Sequence, residues 1–223
     1  MVRYFELIIF DCDGVLVDSE RVTSEVFSQV LEEECGLSLS LDELIDTFMG
    51  ISSQKCLTII EEMLGHKPPI GLEARYQNDI SKALQKSVTA ITGVEKLLAE
   101  LSIPFCVASG GSHEKMQTTL GKTNLLKHLE GKLFSTADVL RGKPYPDVYL
   151  HAAENMQCQD PSRCLVIEDS PLGVEGGAAA GMTVFGFADL VKKQKLINSG
   201  ADHIITEMEN LVNEITLYEN RTY

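Results

Sequence analysis

Continuous apolar runs that end in small or acidic residues recur along the chain. The first, Phe5–Phe10, ends in Asp-Cys-Asp-Gly at residues 11–14. Similar runs occupy Pro104–Ser109, Arg163–Ile167 and Met182–Phe187, and helical patterns separate them. A short apolar run bounded by turn residues is typical of a strand that is buried on both faces. The alternation predicts βαβ units and therefore an α/β fold with a doubly wound parallel sheet.

The long segment between the first two strand-like runs, roughly Val15 to Ser87, shows only helical periodicity. A crossover between parallel strands needs only about a dozen residues, so this segment is too long to be one. It is predicted to be an inserted all-helical domain covering residues 16–87, with residues 1–15 and 88–223 forming the α/β core. The helices predicted within it are Ser19–Glu34, Leu41–Met49, Ser52–Leu64 and Leu72–Lys86.

Composition and charge narrow the class of partner. The 223 residues are 44% hydrophobic and 23% charged, as in an ordinary globular protein, and the formal net charge is -14. Nucleic-acid binding depends on clustered Lys and Arg, so this charge disfavours a nucleic-acid partner. The electrostatic field of this net negative charge also repels an anionic substrate. A phosphate site therefore needs local positive charge from a metal ion, a lysine or helix N-termini.

The N-terminal segment and the cysteines bear on location and assembly. The apolar run before Asp11 is too short for a signal-peptide core or a membrane span, so we expect a cytoplasmic protein without a membrane partner. The six cysteines show no metal-ligand spacing and are expected to be free thiols. A monomer or a weak homo-oligomer is the expected assembly.

The first chemical motif is the pair of carboxylates Asp11 and Asp13, directly after a buried strand. At this spacing one carboxylate can attack an electrophile while its neighbour transfers protons, and Gly14 allows the sharp exit of the backbone. Acidic pairs at strand ends also serve as caps or metal ligands. Taken alone, the pair therefore does not establish catalysis.

Three further motifs end predicted strands or precede helices. Ser109 and the following amides, beginning with Gly110, could bind phosphate oxygens, although a plain strand-to-helix turn is an equal alternative. Lys143 precedes a proline and so lies in an extended segment, where its ammonium could neutralise a phosphate. Glu168 and Asp169 end another apolar strand, and Asp169 could complete an oxygen-ligand magnesium site with Asp11.

The order of the four motifs resembles the haloacid dehalogenase superfamily, whose motifs appear in this sequence as DCDGV, the serine of VASGG, the lysine of GKPYPD, and EDS. The resemblance covers essentially the whole chain and implies a Rossmann-like core with a helical cap. The subgroup with this cap includes phosphoglycolate phosphatases, sugar phosphatases and β-phosphoglucomutases. Residues 112–117 and 133–156 are also similar to stretches of 6-phosphogluconate phosphatases.

The resemblance implies a role for each motif residue. Asp11 would be the nucleophile that forms an aspartyl-phosphate, and Asp13 would protonate the leaving group and then deprotonate water. Ser109, Gly110 and Lys143 would hold the phosphoryl group. Glu168 would support Lys143 or a metal-bound water. The ligands of Mg²⁺ would be Asp11, the main-chain carbonyl of Asp13, and Asp169.

The expected activity is hydrolysis of a sugar or sugar-acid phosphate, but alternatives stay open. Dehalogenases of the superfamily lack the second aspartate of the first motif, so Asp13 disfavours dehalogenation. β-Phosphoglucomutases carry an arginine in the loop that resembles residues 49–54, where Ser53 stands here, so a phosphosugar mutase is the less favoured alternative. A catalytically silent binding module would be favoured if a core acid were missing, and none is.

Overall fold

The structure, a computed structural model, describes residues 4–48, 51 and 53–222, and within them six parallel strands form one sheet. The strand order is β3-β2-β1-β4-β5-β6. The strands are β1 Leu7–Phe10, β2 Phe105–Ser109, β3 Leu133–Ser135, β4 Cys164–Glu168, β5 Thr183–Phe187 and β6 His203–Ile205. This order runs outwards from β1 in both directions, and right-handed crossovers then place helices on both faces, so the predicted doubly wound fold is confirmed.

Two strands were not expected from the apolar runs. β3 and β6 have three residues each and lie at the two edges of the sheet. The burial of Leu133 and His203 is only partial, so neither segment carries the continuous apolar run of an inner strand. Short edge strands also present few unpaired backbone groups to other chains.

The chain divides into two compact units. The core unit comprises residues 1–18 and 89–223, and the helical unit comprises residues 19–88. The helices of the core unit are α5 Val94–Glu100, α6 His113–Lys122, α7 Asp147–Asn155, α8 Pro171–Ala179, α9 Lys193–Asn198 and α10 Leu211–Thr222. α7 packs on β1, β2 and β3, α8 packs on β4 and β5, and α9 packs on β5 and β6.

The helical unit has its own apolar core. Its helices are α1 Ser19–Cys35, α2 Leu41–Phe48, α3 Ser53–Leu64 and α4 Leu72–Ser87. The buried residues of this core are Val30, Leu31, Leu44, Phe48, Ile60 and Leu72. The predicted ends of α2 at Met49 and α3 at Ser52 lie outside the described residues, as does Gly50. In the part of the chain that is described, no helix is long and apolar enough to cross a membrane.

The chain leaves and re-enters the core unit at neighbouring points. The Asp18 amide donates to the Thr89 carbonyl at 2.9 Å, and the Ile91 amide donates to the Leu16 carbonyl at 3.0 Å. Val17 and Ala90 form an antiparallel bridge between these hydrogen bonds. The helical unit is therefore an insertion between two hydrogen-bonded segments of the core unit.

The sheet register brings the motif strands level with one another. Phe10, the last residue of β1, lies opposite Val107 of β2 and Ile167 of β4. Asp11 follows immediately, and its amide donates to the Ile167 carbonyl at 2.9 Å. The strand order reverses between β1 and β4, and ligands of open α/β sheets bind outside the carboxyl ends of strands at such a point.

Candidate active site

Asp11 forms the centre of a cluster of charged side chains at the carboxyl ends of β1 and β4. The carboxylate of Asp11 is buried, and its Oδ1 accepts a hydrogen bond from Lys143 Nζ at 2.6 Å. Lys143 also pairs with Oε1 of Glu168, a side chain with no exposed area. One ammonium therefore lies between two buried carboxylates, and only 10% of the lysine side chain is exposed.

The environment changes the ionisation of both partners. Burial raises the pKa of Asp11 to about 7, Lys143 opposes this shift, and the nearby negative charges of Glu168 and Asp13 add to it. Burial alone would lower the pKa of Lys143, but Asp11 and Glu168 outweigh that effect and raise its pKa above the ordinary value. Lys143 is therefore a permanent cation in a site where an additional positive charge would favour ionised Asp11.

Glu168 is held by more than the lysine. Tyr149 Oη donates to Glu168 Oε1 at 2.8 Å and approaches the Gly173 carbonyl at 3.1 Å. The amide and hydroxyl of Ser170 both donate to Glu168 Oε2 at 3.0 Å. Burial, and then the charge of Glu168, raise the pKa of Tyr149, so its hydroxyl stays a donor. Both oxygens of Glu168 are thus engaged in holding Lys143 and the loop after β4.

Tyr149 was not among the predicted site residues. It lies inside α7, two residues after the Lys143-Pro-Tyr-Pro-Asp segment ends, whereas the predicted residues end strands or lie in the segments that precede helices. The available signal was its setting in an apolar helix face, because a buried tyrosine hydroxyl needs a polar partner.

Carboxylate oxygens at this edge can surround a cation. One oxygen from each of Asp11, Glu168 and Asp169 lies within 4.8 Å of the others. These are hard donors of the kind that Mg²⁺ prefers. Gly14 has a φ of +75°, and a Cβ at this position would overlap the carboxylate of Asp169. The residues present therefore fit a magnesium ion, with Asp11 and Asp169 the better ligands because Glu168 is occupied by Lys143, Tyr149 and Ser170.

Asp13, the predicted acid and base, pairs with a residue that the sequence analysis did not single out. Its Oδ2 lies 2.8 Å from Nζ of Lys115 in α6. Ser109, the buried last residue of β2, accepts a hydrogen bond at Oγ from the Gly111 amide at 2.9 Å. A Cβ on Gly111 would lie 3.3 Å from Ser109 Oγ and 3.4 Å from Asp13 Oδ2, so these two groups are neighbours.

The structure thus gathers the predicted site residues at the carboxyl ends of β1, β2 and β4. Gly110 follows Ser109, and its carbonyl accepts a hydrogen bond from Thr136 Oγ1 at 3.1 Å. His113, at the start of α6, is partly exposed and pairs with Asp138 at 2.8 Å. The arrangement provides a buried carboxylate, a fixed ammonium, a second carboxylate and a set of small residues within one site. Such a set is suited to phosphoryl transfer, which depends on positioning and charge neutralisation.

Comparisons with known proteins agree with this chemistry. A family model described as haloacid dehalogenase-like hydrolase matches residues 8–187. Over 185 residues the chain is 35% identical to 6-phosphogluconate phosphatase of Escherichia coli K12, a match that covers 82% of each chain.

Solved structures with the same architecture extend the comparison. A conserved haloacid dehalogenase-like protein of unknown function from Agrobacterium tumefaciens has a TM-score of 0.91 and 33% identity, with 96% of this chain and 99% of that chain covered. A HAD family hydrolase from Deinococcus radiodurans, solved with bound phosphate and sodium, has a TM-score of 0.83 and 30% identity, with 97% and 98% covered.

Proposed function

Because this chain belongs to the haloacid dehalogenase-like hydrolase family, we propose that it is a magnesium-dependent phosphatase of a small phosphorylated sugar or sugar acid. The predicted family, the predicted Rossmann-like fold and the predicted enzyme class are confirmed by the family match and by the relatives.

The observation that carries the proposal is the position of Lys143 between Asp11 and Glu168. A buried ammonium beside a buried carboxylate can accept a dianionic phosphoryl group without the repulsion that Asp11 alone would exert. Glu168 keeps the ammonium in place, and Tyr149 and Ser170 keep Glu168 in place. Ser109 and the Gly110 amide are proposed as further phosphate contacts.

The reaction is proposed to proceed in two displacements. In the first, an oxygen of Asp11 bonds to phosphorus, the ester P–O bond breaks, and the proton of Asp13 passes to the leaving alkoxide. In the second, a water oxygen bonds to phosphorus while Asp13 takes a proton from that water, and the bond between phosphorus and Asp11 breaks. Phosphate and an alcohol are the products, and both aspartates return to their starting states.

Mg²⁺ would be held by Asp11, the main-chain carbonyl of Asp13, and Asp169, and when bound it supplies positive charge that favours ionised Asp11 and neutralises the phosphoryl oxygens. The carboxylates of this site and the net charge of -14 make such a counter-charge necessary. With the ion bound, Lys143 and Ser109 would still be the residues of the chain that orient the phosphoryl group.

The helical unit is proposed to be the cap that selects the substrate. It contains a cavity of about 230 Å³ whose lining includes Phe27, Phe48 and Tyr76 together with the polar residues Glu20 and Thr23. Ser53, which stands where β-phosphoglucomutases are expected to carry an arginine, also lines this cavity. A serine cannot grip a second phosphate as a guanidinium does, which supports hydrolysis over mutase activity.

The first prediction tests the nucleophile. Asp11→Asn should fold with an unchanged circular dichroism spectrum but release no phosphate, because an amide does not attack phosphorus under these conditions. Phosphate release should be measured with magnesium against a panel of phosphorylated sugars, sugar acids and glycolate. Asp42→Asn, at an exposed position of α2, is the matched control and should keep the wild-type rate. Substantial turnover by Asp11→Asn would contradict the mechanism.

The same panel separates the alternatives. A phosphatase releases inorganic phosphate and the dephosphorylated compound, whereas a mutase converts one sugar phosphate into an isomer and releases little phosphate. A binding module would do neither. Wild-type protein that binds a sugar phosphate with magnesium but yields no product would favour the binding module.

A further inference from the structure

The ion pair between Lys115 and Asp13 has no place in the mechanism described above. Lys115 Nζ lies 2.8 Å from Asp13 Oδ2. The side chain of Lys115 is 33% exposed and that of Asp13 is 16% exposed. Partly exposed pairs add little to stability because water and salt screen them. A contact of this kind at a reacting group is better explained by what it does to the orientation of that group.

Lys115 lies in the first turn of α6, where hydrogen bonds fix its main chain. Ser112 is the N-cap of α6, and its Oγ accepts a hydrogen bond from the Lys115 amide at 3.2 Å. The preceding turn is held from two sides, since the Gly111 amide donates to Ser109 Oγ at 2.9 Å and the Gly111 carbonyl accepts from Ser135 Oγ at 2.7 Å. The lysine therefore extends from a backbone that hydrogen bonds hold to β2 and β3.

Gly111 also provides the space for the side chain. A Cβ at this position would lie 3.3 Å from Lys115 Cδ and 3.4 Å from Asp13 Oδ2. The alkyl chain of the lysine thus passes over a residue without a side chain to reach the aspartate. A larger residue at position 111 would press on both members of the pair.

We propose that Lys115 is a positioning residue of the phosphatase reaction, which holds Oδ2 of Asp13 so that proton transfer uses the other carboxylate oxygen. The inference rests on the proposed function, because it needs Asp13 to be the acid that protonates the leaving group. A carboxylate that is free to rotate spends part of its time with neither oxygen aimed at the leaving oxygen. Misplacement by about 1 Å can reduce a rate by about 100-fold.

The test compares two leaving groups, since only one needs the proton. An alkyl phosphate leaves as an alkoxide and depends on the acid, whereas p-nitrophenyl phosphate leaves as a stable phenolate and depends on it little. The alkyl probe is whichever of 6-phosphogluconate, glucose 6-phosphate and glycerol 3-phosphate the wild type hydrolyses fastest. The ratio kcat/KM is measured because it reports the step that expels the leaving group.

Lys115→Met should lose about 10- to 100-fold in kcat/KM with the alkyl phosphate and less than about 3-fold with p-nitrophenyl phosphate. The loss should appear in kcat, with KM nearly unchanged. Lys115→Arg should recover most of the alkyl activity because a guanidinium also reaches the carboxylate. Lys127→Met is the matched control, because Lys127 pairs with Glu95 at 2.9 Å on the exposed surface. This variant should keep the wild-type kcat/KM with both substrates.

Several results would overturn the inference. Equal losses with both phosphates, together with a raised KM, would mean that Lys115 binds the phosphoryl group itself. A lowered melting temperature with parallel losses would mean a structural role, and wild-type activity in Lys115→Met would mean no role. If the wild type hydrolyses p-nitrophenyl phosphate and the alkyl phosphate, these outcomes reject the positioning role alone. If the wild type hydrolyses neither phosphate, the result contradicts the proposed phosphatase function, and with it the positioning role that depends on that function.

Discussion

Lys143 illustrates how a single residue organises this site. Its ammonium touches Asp11 and Glu168, and Nζ lies 5.1 Å from the centre of the Tyr149 ring. Because Glu168 has no exposed area, its charge is tolerable only with a cation and hydrogen-bond donors beside it. The position of the ammonium is thus set jointly by one carboxylate that is proposed to react and by another that is fixed in the protein.

The hydroxyl of Tyr149 should matter to both stability and activity. Tyr149→Phe removes the donor to Glu168 Oε1 and leaves a buried carboxylate with one partner fewer. We expect a loss of about 1–3 kcal/mol in the free energy of unfolding, measured by urea denaturation, and a lower kcat. Tyr145→Phe is the control, since that ring is half exposed and stacks beside Arg141. Equal stability of the two variants would show that the hydroxyl does not support Glu168.

Most of the site residues that could be predicted from the sequence lie next to a predicted strand. Asp11, Ser109 and Glu168 end or directly follow apolar runs, so their common location at one sheet edge follows from the strand pattern alone. Lys115 and Tyr149 lie inside helices. Their contacts depend on which helix face meets the site, and that is set by packing across distant segments, which a local pattern does not contain.

At the scale of elements, the same limit applies to the edges of the sheet. The four inner strands have near-continuous burial and were predicted within one or two residues, whereas the three-residue edge strands β3 and β6 were not. An edge strand is stabilised by backbone hydrogen bonds to the inner strand beside it. Its own sequence therefore need not contain a continuous apolar run.

The N-terminal caps of α6 and α8 allow a matched comparison. Ser112 Oγ caps α6 by accepting from the Lys115 amide. Ser170 Oγ caps α8 by accepting from the Gly173 amide at 3.0 Å, and it also donates to Glu168. Ser112→Ala should therefore cost about 1 kcal/mol, and Ser170→Ala should cost about 1 kcal/mol more because a buried carboxylate also loses a donor.

The difference in unfolding free energy between these two variants should be measured by chemical denaturation at pH 7. Equal losses would mean that Glu168 does not depend on the Ser170 hydroxyl. A larger loss in Ser112→Ala would contradict the assignment of the two caps.

At the scale of the whole molecule, magnesium should stabilise the folded chain. A ligand that binds only the native state adds about 2.7 kcal/mol at a free concentration of roughly one hundred times Kd. We expect the melting temperature of the wild type to rise with Mg²⁺ and that of Asp169→Ala to stay constant, because a ligand carboxylate is missing. The measurement needs no substrate, so it tests the site independently of activity.

Two further samples make this thermal test decisive. Asp42→Ala removes an exposed carboxylate of the helical unit and should respond to Mg²⁺ as the wild type does. Sodium chloride at equal ionic strength screens the net charge of -14 as well as a magnesium salt does. A rise in melting temperature that sodium chloride does not reproduce is therefore due to binding of Mg²⁺. A magnesium response that survives in Asp169→Ala would show that the ligand was assigned wrongly.

The hydrogen bonds between Asp18 and Thr89 and between Ile91 and Leu16 have a consequence for how this chain could evolve. They join the two ends of the insertion within the core unit, so the path of the chain through that unit is closed whatever the length of the insertion. Doubling the length of a flexible loop costs only about 0.6 kcal/mol in closure free energy, so long insertions at a closed junction are tolerated. We therefore expect the segment of the gene that encodes residues 19–88 to diverge among relatives, or to be exchanged between them, more readily than the segments that encode the strands.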